Sequence, residues 1–408
     1  MQIRHQKFSR RRLSGAALAP LLFLVACGPG TQPSAAPTSV AAARPTTAPI
    51  SAATPSTAKP ATTSVSGTAA PSVVISGPAQ GEAKSLNAAG ATFPAPLYQK
   101  WFDEYSKLTQ VQVNYQPIGS GGGIKGIQDQ TVDFGASDAP MTDEQLRATK
   151  GGEIYHIPTA LGAIVPTYNL PNVTSKLKFT GDTLAGIFLG DIQKWSDPRL
   201  VADNPGLATI DEDIVVVHRS DGSGTTFGFT DYLSTVSKDW QQKVGKGTSV
   251  NWPVGLGGSG NPGVAGEVQQ NPYSIGYVEL IYAMQNNLGY GMVKNKAGAF
   301  IDPSLDSVTA AAAASAESIP ADLRFSIVDA PGDASYPIST ATWLLAYKNE
   351  NDQARALALT RLLWWATHEA QRFNKDLAYA TVPDAITARS EQFIRQIAVD
   401  GKPIFPGR

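Results

Sequence analysis

The 408-residue chain has a single cysteine, Cys27, so no disulfide can form within it and no cysteine-rich metal site can be built. Histidine is almost as scarce. His5, His156, His218 and His368 are the only four, and no two stand at a metal-ligand spacing such as i, i+4. Catalytic zinc is thereby disfavoured, and no metal or other cofactor is expected. No run of eighteen or more apolar residues occurs, so no membrane-spanning helix is written in the chain. A positive excess is missing as well: the net charge is −1, with 33 basic and 34 acidic residues, which is not the electrostatic footprint of a nucleic-acid binder.

What is present begins with an address. Arg4, Lys7 and Arg10-Arg11-Arg12 form a basic segment, followed by the apolar "LSGAALAPLLFLVA" and then Cys27. Leu24-Val25-Ala26-Cys27 resembles the bacterial lipobox, in which the cysteine is lipidated and becomes the first residue of the mature protein. Residues 1–26 therefore read as a lipoprotein signal peptide, with an ordinary secretory signal as the plainer alternative. "SRRRL" is only a partial match to a twin-arginine export signal. This segment carries five cations and no acid, so the chain without it has a net charge of about −6. An anionic ligand would then be held by local geometry, against a slightly repulsive overall field.

From residue 27 to about Lys84 the chain is Ala, Thr, Ser and Pro with hardly a charge or an aromatic ring. Such a composition buries too little apolar area to offset its ordering entropy, and predicts a disordered tether with a reach of roughly 40 Å. The expected arrangement is extracytoplasmic, a globule lipid-anchored to the cell membrane and free to reorient.

Beyond residue 84 the pattern alternates strand and helix. "SLNAAGA" predicts a strand, and "PAPLYQKWFDEYSKL" a helix with Leu97, Trp101, Tyr105 and Leu108 on one face. "VQVNYQPI" alternates as a strand, "GSGGGIKGIQDQ" opens as a loop and continues as a helix, and "VDFGASD" is again a strand. Thr142 and Gln145 in "TDEQLR" have the spacing of a capping box. Strand, glycine loop and helix recur in "DIVVVHRSDGSGTTFGFTDYL". Near the end, "STATWLLAYK" reads as a strand and "NDQARALALTRLLWWATHEAQRF" as helix, while the alanine run Thr309–Ser315 reads as a surface helix. This order indicates an α/β fold with mostly parallel strands. There is no internal repeat.

Three segments share one design, a strand entering a glycine- and hydroxyl-rich turn that opens a helix. They are Gly90-Ala91-Thr92-Phe93, Gly119-Ser120-Gly121-Gly122-Gly123 and Asp221-Gly222-Ser223-Gly224-Thr225. The first N–H groups of a helix lack internal partners and its dipole favours negative charge there, so the design suits an anion. Glycine lets the backbone approach closely, and Ser or Thr adds a hydroxyl donor. Any one such loop reads first as a plain turn. "GGGIKG" (121–126) also fits a dinucleotide-binding G-x-G-x-x-G, a reading the export signal undercuts, and no Gly-Lys-Ser/Thr completes a Walker loop.

Taken together, "GATFPAPLYQKW", "IGSGGG", "VDFGASDAP", "RSDGSGTT" and "WPVGLGGSGNPGV" resemble, in order and spacing from about Leu86 to the C-terminus, the motifs of the phosphate-binding proteins that feed phosphate ABC importers. The resemblance implies a two-lobed periplasmic-binding-protein fold of type II kind, with two crossing segments and a ligand cleft between the lobes. Residues 85–160 with 331–408 would form one lobe and 161–330 the other. It implies a monomer that binds inorganic phosphate with high affinity and delivers it to a membrane permease by closing its lobes, with no catalysis.

Carried over by position, Thr92 and Phe93 would donate N–H groups, the Thr92 hydroxyl helping, and Ser120 would donate from hydroxyl and backbone. Arg219 would make the charged contact, and Ser223, Gly224 and Thr225 would supply hydroxyls and N–H groups. Asp138 would accept a hydrogen bond from the ligand's own proton, and Asp221 would hold Arg219. An aspartate aimed at an anion makes sense only if the anion brings a proton, as phosphate does near neutral pH and sulfate does not. Without the resemblance, Asp138 reads as a turn or cap residue and Arg219 as a strand-end partner of Asp221.

The "GLGGSGNPG" stretch (255–263) looks like another anion loop but stands outside the implied ligand set. Trp101, Trp195, Trp252, Trp364 and Trp365 read as packing groups, and His156 and His218 as structural. Two alternatives compete: a receptor for another oxyanion such as sulfate, and a secreted serine hydrolase or phosphatase using Ser223 or Ser120. No G-x-S-x-G elbow supports the latter, though His218 lies five residues from Ser223.

Overall fold

The computed structural model describes residues 73–405. The signal peptide, Cys27 and the tether as far as residue 72 lie outside the described residues. Residues 73–84, which composition grouped with the tether, belong to the globule. Ile75 is buried, the Trp364 indole N–H donates to the Val73 carbonyl (2.9 Å), and the buried Glu82 pairs with Arg361 (2.9 Å). One isoleucine and one paired acid are enough to dock a segment whose overall composition reads as disordered.

The core is a nine-stranded mixed sheet. Its strands are β1 (Ser85–Gly90), β2 (Gln112–Gln116), β3 (Phe134–Ser137), β4 (Ile154–Asn169), β5 (Val215–Arg219), β6 (Leu256–Gly258), β7 (Ser274–Glu279), β8 (Gly289–Tyr290) and β9 (Ser339–Tyr347). Their order is β2-β1-β3-β9-β4-β7-β5-β6, with β8 paired to β4. The helices that matter for the site are α1 (Ala95–Thr109), α2 (Ser120–Gln128), α3 (Gly224–Val236), α4 (Gly260–Gln270), α5 (Leu280–Gln285) and α6 (Gln353–Thr367). The edge strand β2 alternates exposed and half-buried residues, whereas β7 and β9 are buried along their whole length, as strands covered on both faces must be.

Parallel pairing holds within each half, β1 with β2 and β3, and β5 with β6 and β7. The two long strands β4 and β9 run antiparallel to each other and to their other neighbours, so the sheet is less parallel than the alternating pattern predicts. These two strands make the molecule two-lobed. β4 pairs with β9 through Ala163 and with β7 from Ile164 onward. The chain returns to β9 at the same place: the Ile164 N–H donates to the Ile338 carbonyl (2.8 Å), and the Tyr336 hydroxyl to the Ile164 carbonyl (3.0 Å). Both crossings therefore meet at Ile164.

Local expectations hold at several points. Thr142 and Gln145 form the reciprocal capping box, and Trp101, Trp195, Trp364 and Trp365 are buried. Trp252 is half-buried and stacks on His218, ring centroids 4.9 Å apart. The alanine-rich helix Leu305–Ser315 is not a pure surface helix, because Val308, Ala311 and Ala312 are buried.

Candidate functional site

The loops that follow β1, β2, β3, β5, β6 and β7 leave the carboxyl ends of their strands, the edge at which open α/β sheets place ligands. In this way segments far apart in sequence reach one cleft. Thr92, Phe93, Ser120, Asp138, Arg219, Ser223 and Thr225 are all at most 4% exposed there. Glycines allow the two lobes to touch. Gly119 has φ +91°, and a Cβ on it would lie 2.2 Å from an Asp221 carboxylate oxygen. Beside it, the Gly121 N–H donates to the Gly222 carbonyl of the other lobe (2.8 Å). With the loops in contact and that N–H taken, "GGGIKG" has no opening for a dinucleotide.

Arg219 sits at the end of β5 with a 1% exposed side chain. Its Nε and Nη2 fork onto Asp221 at 2.8 and 2.5 Å, and Nη1 donates to Thr225 Oγ1 at 3.3 Å. Burial pushes the Asp221 carboxyl upward, but the Arg219 fork and the Gly260 N–H outweigh it and hold this acid below its ordinary range. The pair is neutral as a unit, and the guanidinium keeps N–H groups to spare.

Ser223 caps α3: its Oγ accepts from the Thr226 N–H (3.0 Å), leaving the hydroxyl hydrogen free, while its own N–H is taken by the Thr248 carbonyl. The N–H groups of Gly224 and Thr225, in the first turn of α3, have no intrahelical acceptor. The Phe93 N–H, among the described residues, has no protein acceptor either. The peptide that carries it is polarised from behind, since the Tyr282 hydroxyl donates to the Thr92 carbonyl (2.5 Å), and the Tyr379 hydroxyl donates to the carbonyl of the next peptide, that of Phe93 (2.6 Å).

Asp138 is the exception among these donors. It accepts from Thr342 Oγ1 (2.8 Å) and, more loosely, from Ser120 Oγ (3.3 Å), and its N–H donates back to Ser120 Oγ (3.1 Å). Burial pushes its carboxyl up to about 7, against the opposing pull of Thr342, Arg219 and Ser120. Thr342 reaches it at a register shift between Thr342 and Trp343 in β9, a bulge that re-aims the side chain.

The sequence reading left out Asn261. The "GLGGSGNPG" stretch, placed outside the ligand set, delivers it fully buried into the middle of the cleft, against Thr92 of one lobe and Thr225 of the other. The only signal for it was the glycine-rich loop itself. Neither histidine of interest serves a nucleophile. His218 Nδ1 faces the Arg219 carbonyl and its ring lies on Trp252, whereas His156 accepts from the Met141 N–H and is pushed down to about 3 by burial. An adjoining groove of about 890 Å³ opens beside Thr92, walled by Phe102, Tyr115, Tyr282 and Phe373, and none of the charged groups described above lines it.

Residues 40–359 match a family model described as a PBP superfamily domain. The phosphate-binding protein PstS of Haemophilus influenzae is 45% identical over 314 residues, 76% of this chain and 93% of that one. The PstS of Xylella fastidiosa is 44% identical over 315 residues, covering 77% and 86%. A crystal structure of a phosphate-binding protein from Stenotrophomonas maltophilia shares the fold with a TM-score of 0.60 at 18% identity, covering 78% of this chain and 97% of that one. On these matches the chain belongs to the PBP superfamily and, within it, to the PstS family of phosphate-binding proteins.

Proposed function

We propose that this protein binds inorganic phosphate between its lobes and delivers it to the membrane permease of an ABC importer, without catalysing a reaction. Thr92, Phe93, Ser120, Arg219, Ser223, Gly224 and Thr225 supply the donors, and Asp138 is the acceptor. Residues 73–160 with 331–408 act as one lobe and 161–330 as the other, closing by rotation about the two crossings at Ile164. The chain works as a monomer, lipid-anchored through Cys27 outside the cytoplasm.

One observation carries the reading: the buried carboxyl of Asp138 stands among N–H and O–H groups from both lobes that have no acceptor among the described residues. That donor-to-acceptor ratio fits an oxyanion that still carries a proton. The Arg219–Asp221 pair adds directed hydrogen bonds with no net charge, so the anion is held by dipoles and is not drawn in by a charged field. A fully deprotonated anion such as sulfate would leave a carboxylate desolvated against it, which opposes the sulfate-receptor alternative. The hydrolase alternative lacks a base, since both nearby histidines are engaged elsewhere.

Calorimetric titration of the purified protein with phosphate and with sulfate tests the reading. Phosphate binding with sulfate excluded by a hundredfold or more is expected; equal binding of both would refute it. Anchoring is tested by the membrane fraction of the expressed protein, which Cys27→Ala should shift to the soluble fraction.

A further inference from the structure

Asn261 makes four hydrogen bonds that leave its amide no freedom to flip. Its Oδ1 accepts from the buried Glu279 N–H at 3.0 Å, so the NH2 group must face the other way. There the two Nδ2 hydrogens go to two hydroxyls, Thr92 Oγ1 at 3.1 Å and Thr225 Oγ1 at 3.0 Å. Thr92 Oγ1 also accepts the Asn261 N–H at 3.0 Å, and Thr225 Oγ1 also accepts from Arg219 Nη1 at 3.3 Å. Each hydroxyl oxygen has two lone pairs, and in both threonines both are now used. The one hydrogen left on each can only be donated.

We propose that Asn261 is a positioning residue that turns the Thr92 and Thr225 hydroxyls into obligate donors, and that for Thr92 it does so only when the lobes meet. Thr92 lies after β1 in one lobe, Asn261 at the start of α4 in the other. Apart from Asn261, a hydroxyl at position 92 is free to rotate and can accept as readily as it donates. Closure removes that choice. The contact needs Gly260 in its left-handed conformation (φ +69°), where a Cβ would lie 3.1 Å from Thr92 Cγ2, and the same glycine's N–H steadies Asp221 at 2.9 Å. One short turn therefore sets the partner of Arg219 and the polarity of two hydroxyls. The inference rests on the phosphate-binding reading: hydroxyls held as donors in the closed cleft suit an acceptor-rich oxyanion and penalise ligands that must donate.

A double-mutant cycle with phosphate as the titrant tests it. Asn261→Ala is expected to weaken binding about 10- to 100-fold. In that background Thr225→Val should cost at least about 5-fold less than it does in the wild type, because the hydroxyl has already lost its enforced direction. Asn261→Asp, which offers acceptors where the amide offered donors, should bind at least about 10-fold more weakly than Asn261→Ala. Thermal melts establish that each variant is folded; if alanine unfolds the turn, Asn261→Ser, too short to reach both threonines, replaces it in the cycle. Additive losses, or an Asn261→Asp protein that binds as well as Asn261→Ala, would overturn the inference and leave the phosphate reading intact. A folded wild-type protein that gives no heat with phosphate would overturn that reading, and the inference with it.

Discussion

A methyl group on Gly224 would lie 2.5 Å from the Cβ of Asp138, in the opposite lobe. The same added atom would meet Ser120 Oγ at 2.6 Å. Gly224 is thus the point at which the first turn of α3 closes onto the acceptor and a donor of the other lobe. Gly224→Ala should leave each lobe folded and hold them apart. Overpacking of this kind costs about 1–3 kcal/mol, so phosphate affinity should fall about 10- to 100-fold with little change in the melting temperature of the free protein. Wild-type affinity by calorimetry would show that the lobes do not meet here when phosphate is bound.

Arg219→Ala removes the cation that contacts Thr225 and leaves Asp221 half-buried without its partner. Breaking a buried pair in this way costs about 3–5 kcal/mol, against about 1–2 kcal/mol for a single hydroxyl such as Thr225→Val. Arg219→Lys should recover little, since an ammonium cannot span both Asp221 oxygens. Equal losses for Arg219→Ala and Thr225→Val in the same titration would contradict this role.

The Asp138 carboxyl, raised by burial to about 7, gives selectivity a pH dependence. Below that value it is neutral and can donate to an anion that has no proton. Above it the group is charged, and can only accept. The ratio of phosphate to sulfate affinity should therefore rise from about pH 5.5 to about pH 8.5, by tenfold or more, since about one pKa unit corresponds to a tenfold factor. Asp138→Asn should flatten that profile and admit sulfate. An unchanged ratio in the variant would mean that the acid does not read the ligand's proton.

Glu82→Ala tests the boundary of the globule, well away from the cleft. Glu82 is buried, also accepts the Ala79 N–H at 2.6 Å, and meets an Arg361 that is itself largely buried. Loss of one partner should lower unfolding free energy by about 3 kcal/mol, measured by denaturant titration, with phosphate affinity unchanged. A wild-type unfolding curve would return residues 73–84 to the tether.

Much of this site was legible because its chemistry is local. Helix starts rich in glycine and hydroxyls advertise free N–H groups, and Arg219 and Asp221 stand two residues apart, close enough to be read as a pair. Asn261, Thr342 and Tyr282 were not legible. Nothing around Asn261 distinguishes it from any polar residue in a glycine-rich turn. Thr342 reaches Asp138 through a bulge 204 residues further along the chain, and Tyr282 reaches the Thr92 carbonyl across 190. The parallel expectation failed at β4 and β9 for a related reason, because a hydrophobic run buried on both faces does not record the direction of its neighbours.

The sequence by itself determined the strands and helices around the three glycine loops and the loops whose backbone would face an anion, since these follow from local pattern and unpaired helix ends. Tertiary structure alone decided which hydroxyls donate, where the lobes touch, and how far the Asp138 carboxyl is raised. Hydrogen-bond direction and desolvation depend on partners brought together through space. The bond from Asn261 to Thr92 spans 169 residues of chain, and only the approach of the two lobes makes it.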